Sequence, residues 1–163
     1  MQAAVTLVNT AEPPDTLTTD VQLKAFFTEH RYTGKPPMDL AAVRALRAPL
    51  RELLTADRDT AVEIVNRMLT EHTAVPQLVR HDGEDYHVHA VGTDTPFAVR
   101  IAVETAMAMV DLIRADELSR LAICADETCD GIVLDLSRNR SRRFCSTTCG
   151  NRVAVAAYRA RRA

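Results

Sequence analysis

The chain has 163 residues, of which 47% are hydrophobic, 26% charged and 4% aromatic, with no tryptophan. That apolar share excludes wholesale disorder, and the length suits one domain, or one modest domain with a small appendage. The formal charge of −2 hides a split. Residues 136–163 hold eight arginines and no acid, a balance of +8, whereas residues 1–135 come to −10. A basic end on an acidic body suits a tail that meets a polyanion while the rest of the chain discourages non-specific contact. No stretch approaches the roughly 20 apolar residues of a membrane span. The N-terminus lacks the charged n-region and long apolar run of a signal peptide, so a cytoplasmic protein is expected.

In chain order, Thr6-Leu7-Val8-Asn9-Thr10 reads as the start of a helix or a short strand, and Pro13-Pro14 breaks it. From Thr19 or Asp20 a helix is predicted, with Val21, Leu23, Phe26 and Phe27 as its buried side and Gly34 near its end. Asp39 suits an N-cap. Leu40, Val43, Leu46, Leu50, Leu53 and Leu54 then form one apolar stripe, which Pro49 must kink or split. Another helix is predicted from about Thr60 to Glu71, burying Ala61, Ile64, Val65, Met68 and Leu69. The stretch VPQLVRHDGEDYHVHAV carries a hairpin signal, two short strands around Asp82-Gly83. Its His81, His87 and His89, beside Asp82, Glu84, Asp85 and Tyr86, read as a solvated polar face rather than a second metal site. Thr95-Pro96 supplies a cap and a first-turn proline for the longest helix, FAVRIAVETAMAMVDLIRADEL, with Ile101, Met109 and Leu112 marking its inner side. A boundary is expected near Ser119, giving a helical domain over residues 1–118 and a second unit over 119–163.

All four cysteines fall between positions 124 and 149, as Cys124-x4-Cys129, fifteen residues, then Cys145-x3-Cys149. Two close pairs at that separation are the spacing of a four-cysteine zinc site. The competing readings are two disulfides, disfavoured in a cytosolic chain, and four unrelated thiols, which would not be expected to cluster within 26 residues and leave the other 137 empty. Cys124 and Cys129 flank a knuckle, and Gly131 releases the chain into the strand Ile132–Leu136. Residues 137–141 turn it, and Arg142-Arg143-Phe144 return it. Cys145 and Cys149 then share the first turn of a helix. Knuckle, hairpin and ligand-bearing helix describe a treble-clef-like finger around one structural Zn2+. Four thiolates leave no open coordination position, so the metal is not catalytic. The fold class expected is α+β: a mainly helical N-terminal domain with a small β-hairpin, followed by this finger.

Cys124-Ala-Asp-Glu-Thr-Cys129, Leu134-Asp135-Leu136-Ser137-Arg138-Asn139, Arg142-Arg143-Phe144-Cys145-Ser146 and Cys149-Gly150-Asn151-Arg152 together resemble the CGNR-type zinc finger over residues 120–162. Leu7-Val8-Asn9-Thr10 and Leu46-Arg47-Ala48-Pro49-Leu50-Arg51-Glu52-Leu53-Leu54 resemble the ABATE domain that usually precedes it in a family of stress-induced transcription regulators. The resemblance implies DNA binding by the basic finger. The chain departs from it at Phe144, where many relatives have Trp, at Val133, where they often have Phe, and at Ala154, where many carry a basic residue.

On a helix starting at Cys145, Arg152, Arg159 and Arg162 fall within roughly 80° of one another, with Val153, Ala154 and Ala157 on a face that can pack on the body. Arg138, Arg140, Arg142 and Arg143 project from the hairpin. These, with Arg161, are the candidate nucleic-acid contacts, able to straddle a phosphate backbone. Arg152 lies close enough to Cys149 to offset the −2 charge of a four-thiolate zinc instead, and Asn151 to fix the helix start or donate toward sulfur. No Ser-His-Asp arrangement, phosphate loop or paired-carboxylate motif marks an enzyme. The expectation is a zinc-dependent DNA-binding transcription regulator whose helical domain dimerises or holds a small-molecule ligand. RNA binding through the same finger, or docking on an acidic protein partner, are the alternatives.

Overall fold

A computed structural model of the chain describes residues 1–80, 83 and 85–162. Within them the fold is α+β, with seven α-helices and two small antiparallel hairpins. The opening stretch is helix α1 (Gln2–Asn9), with Ala4, Val5, Leu7 and Val8 turned inward. Helix α2 (Asp20–Glu29) begins on a capping box, in which the Thr19 hydroxyl accepts from the Gln22 amide and the Gln22 side chain accepts from the Thr19 amide. Leu23 and Phe26 are its buried face. Val21, expected inside, is exposed; it lies about 200° around the helix from Leu23.

Asp39 caps the leucine stripe by accepting from the Ala42 amide. The stripe is split into α3 (Leu40–Ala45) and α4 (Arg47–Thr55). Pro49 is the cause: its ring clashes with a helical carbonyl four residues back, at Ala45, where α3 stops. Within α4 it stands in the first turn, where its missing N–H leaves no bond unmade. Helix α5 (Arg58–Glu71) starts two residues before the expected point because Asp57 caps it; its carboxylate accepts from the Thr60 amide.

Strand β1 (Gln77–Val79) pairs antiparallel with β2 (His87–His89), Leu78 standing opposite Val88. Asp82 of the expected turn lies outside the described residues, as do His81 and Glu84. Helix α6 (Phe97–Arg114) starts one residue later than expected, with Pro96 as its cap. It is the central helix. Phe97, Ile101, Ala102, Val103, Ala106 and Met109 are buried, α5 packs along it, and Leu112 is only half-buried.

The last third departs most from expectation. Strand β4 (Ile132–Leu134) does pair, but with β3 (Leu121–Ile123), which precedes the first cysteine, and not with residues 142–144. Asp135 explains this. Its carboxylate accepts from the Ser137 and Arg142 amides, each at 2.8 Å, which ends the strand and closes residues 137–142 into a loop. The returning chain then gives its Arg143 carbonyl to the Ala125 amide at 2.8 Å. Helix α7 (Thr147–Ala160) is capped by Ser146, so Cys145 precedes it and only Cys149 stands on it. Ala154 and Ala157, expected to pack on the body, are exposed.

All three residues of β4 are buried, and they face two ways. Ile132 and Leu134 join the core of the helices, while Val133 packs with Cys124 and Cys149. Alternation along a strand thus serves two cores at once. The Asn9 amide fastens the junction. Its Nδ2 donates to the Ile132 carbonyl at 2.8 Å and its Oδ1 accepts from the Ile132 amide at 2.6 Å. Nearby, Arg51 donates to Glu12 at 3.0 Å and to the Asp130 carbonyl.

Candidate metal centre and basic surface

The knuckle between the first two cysteines is built from backbone bonds. The Cys124 amide donates to the Gly131 carbonyl at 2.8 Å and the Cys129 amide to the Asp126 carbonyl at 2.9 Å. The Asp126 carboxylate holds the turn by accepting from the Thr128 amide and hydroxyl at 3.0 and 2.8 Å. On the other side, the Ser146 hydroxyl accepts from the Cys149 amide at 3.2 Å and starts α7 with its cysteine facing the knuckle. These elements bring all four sulfurs within 4.8 Å of one another. Cys129 and Cys145 stand 3.5 Å apart and Cys145 and Cys149 3.6 Å.

That donor set fits zinc. A tetrahedral ion with bonds of about 2.3 Å to sulfur needs sulfurs about 3.8 Å apart. The thiols are unpaired by disulfides. Amides already point at two of them, Gly131 N–H to Cys129 Sγ at 3.4 Å and Cys145 N–H to Cys124 Sγ at 3.5 Å. Burial pushes the Cys129 and Cys145 thiols up, and the Ser146 hydroxyl holds Cys149 below its ordinary value. Four thiolates in so small a space require a cation to compensate them.

Arg152 reaches this centre. Its Nε donates to Asp126 Oδ2 at 2.5 Å and its Nη2 lies 3.6 Å from Cys149 Sγ. Burial opposes ionisation of Asp126, but Thr128 and Arg152 together outweigh it and hold the carboxyl below its usual range. The other arginines divide into two groups. Arg140 makes a two-pronged ion pair with Glu117 at 2.7 and 2.8 Å. Arg142 donates to the carbonyls of Phe144 and Cys145 at 3.3 and 3.1 Å. Arg138, Arg143, Arg159 and Arg161 are exposed and have no ion-pair partner among the described residues. Arg162 stacks over the Tyr158 ring at 4.8 Å. Asn151 is exposed on α7, beside Thr148, Arg152 and Arg159.

Asp126, Asp135, Glu117 and Asn9 are the contributors that spacing arguments miss. Asp126 lies inside the expected knuckle and Asp135 inside the expected strand, each two residues before the amide it caps, where a short carboxylate closes a turn. That is a usable signal. Glu117 pairs locally with Arg120 at 2.7 Å, but its partner in the finger loop, Arg140, and that of Asn9 lie 23 and 123 residues away, where no local pattern reaches.

A closed cage of four sulfurs at the root of a basic helix defines a zinc-finger protein. Residues 120–162 match the CGNR zinc finger, and residues 2–116 match the family described as ABATE, "putative stress-induced transcription regulator". The chain belongs to the ABATE family and carries a CGNR zinc finger with one structural zinc ion. Comparison with curated proteins gave no match. Among the described residues no helix is long and apolar enough to cross a membrane.

Proposed function

We propose that the chain is a DNA-binding transcription regulator. Cys124, Cys129, Cys145 and Cys149 are the zinc ligands, and α7 with the adjoining loop is the DNA surface. The observation that supports this reading most is the exposure of α7. Only Cys149 is buried on a helix of 14 residues, and Val155, Tyr158, Arg159, Arg161 and Arg162 are open to solvent. An isolated helix of that length is marginal in water. Here its first turn is anchored by the Ser146 cap and the zinc cage, and the rest is free to enter a major groove about 12 Å wide. Arg138, Arg143, Arg159, Arg161 and Arg162 are the phosphate contacts. Arg140, Arg142 and Arg152 hold the finger together.

Five phosphate contacts give a slope of log K against log[salt] of roughly −4.5. Zinc-loaded protein is titrated with duplex DNA, structured RNA and single strands across a salt series. Binding of duplex with that slope supports the proposal. Affinity independent of salt overturns it, and preference for structured RNA replaces DNA with RNA as the partner. Selection from random duplexes reads whether sequence matters.

A further inference from the structure

Helix α6 buries an arginine. Arg100 is 2% exposed, on a face otherwise given to core residues. Its Nη1 donates to the Thr33 and Thr93 carbonyls at 2.5 and 3.3 Å, and its Nη2 is 3.4 Å from Glu104 Oε1. Its Nε has no partner among the described residues, and neither does the buried Nε2 of His30. Both residues line a cavity of about 340 Å³, together with Tyr32, Glu104, Ala90 and Met107. That volume is at the lower end of small-molecule sites, at about 300–1,000 Å³.

Tying two loops together accounts for Nη1 and leaves Nε unexplained. Tying would also not require a cation, since a buried charge is costly unless fully compensated. Compensation here is incomplete. Burial raises Glu104 toward its protonated form, although Arg100 opposes this, and burial likewise favours neutral His30. Arg31 and the Met1 amine line the same cavity, so cationic groups in the wall outnumber its one acid, Glu104. The Arg100 guanidinium carbon overlies the Tyr32 ring at 5.4 Å, and Met107 and Ala90 add apolar side chains to the lining. Cationic donors beside aromatic and apolar side chains in one cavity fit a molecule that carries both an anionic group and an apolar body.

We propose that this cavity binds a small organic carboxylate, its carboxylate at Arg100 and His30 and its apolar body against Tyr32 and Met107. The site lies in the helical part and is independent of the DNA reading.

The test uses the zinc-loaded full chain with acetate, hexanoate and benzoate, each beside its neutral amide, read by thermal midpoint and by titration calorimetry. A saturable rise with hexanoate or benzoate and not with the matching amide supports the site. So does a loss of at least about tenfold in affinity, ~1.4 kcal/mol, in Arg100→Met. Where Arg100→Met fails to fold, Met107→Trp, which fills the cavity and leaves the guanidinium in place, carries the test. Equal responses to acid and amide, an unchanged response in Met107→Trp, or no response to any of the three acids overturns the proposal.

Discussion

A methyl group placed on Gly131 would stand 2.9 Å from the Cys145 sulfur and 3.2 Å from that of Cys129. The chain turns so closely around the metal cage that only hydrogen fits. Gly131→Ala is therefore expected to weaken zinc without touching a ligand, seen as earlier release to a chromophoric chelator. Arg152 makes a sharper case, because a cation beside a −2 centre and a cation on a phosphate respond differently. Its contacts with Asp126 and Cys149 Sγ predict that Arg152→Ala lowers zinc affinity about 10–100-fold. Once the variant is saturated with zinc, its salt slope on DNA stays that of the parent. A slope shallower by about one would instead make Arg152 a phosphate contact. The cysteine positions were legible in the sequence because ligand spacing is a local constraint. The contact of Arg152 with Asp126 was not, because the two lie 26 residues apart.

Among elements, the segment before α2 is held by charge as much as by packing. Asp15 accepts from Arg47 through both oxygens at 2.9 Å and from Arg44 at 2.9 Å. The Arg47 guanidinium, with the Leu17 amide, holds its carboxyl well below the usual range. A carboxyl depressed in the folded state contributes stability that is full above the unfolded value, about 3.9. It is lost as pH falls through the folded one. Thermal midpoints are thus expected to drop below about pH 4, with Asp15→Asn less stable than the parent at pH 7 and flatter across the acid range. Helices α2 to α6 were readable from apolar spacing, caps and Pro49, since each is a short-range signal, whereas α1 stayed open between helix and strand. The β3–β4 pairing was not. Leu121-Ala122-Ile123 is too short to show alternation, and the competing partner, residues 142–144, lies as close in sequence on the other side. What decides between them is the Asp135 side chain capping two amides, a three-dimensional outcome. The exposed face of α7 was misjudged for a related reason. Alanine and valine at helical spacing show which residues share a side, not whether anything lies against it.

At the scale of the molecule, the finger and the helices share residues. Ile132 and Leu134 are 1% and 3% exposed within the helical core, although the cage that positions their strand belongs to zinc. Chelation is therefore expected to lower the melting of the helices as well as of the finger, read by helical circular dichroism with and without chelator. A helical transition indifferent to zinc would refute the coupling. Asn9→Leu is expected to destabilise the whole chain by a few kcal/mol, because the Ile132 amide and carbonyl each lose their partner at about 1–3 kcal/mol. Urea melts measure it. The same clamp bears on how such chains diverge. A finger excised at residue 119 and grafted onto another body would arrive with two unmet backbone groups and two bare aliphatic side chains. Its new host would need an amide-bearing residue at the end of a helix placed like α1. Position 9 and the β4 strand are therefore expected to be inherited as a pair, and among relatives that lack the four cysteines asparagine at position 9 is expected to be lost with them.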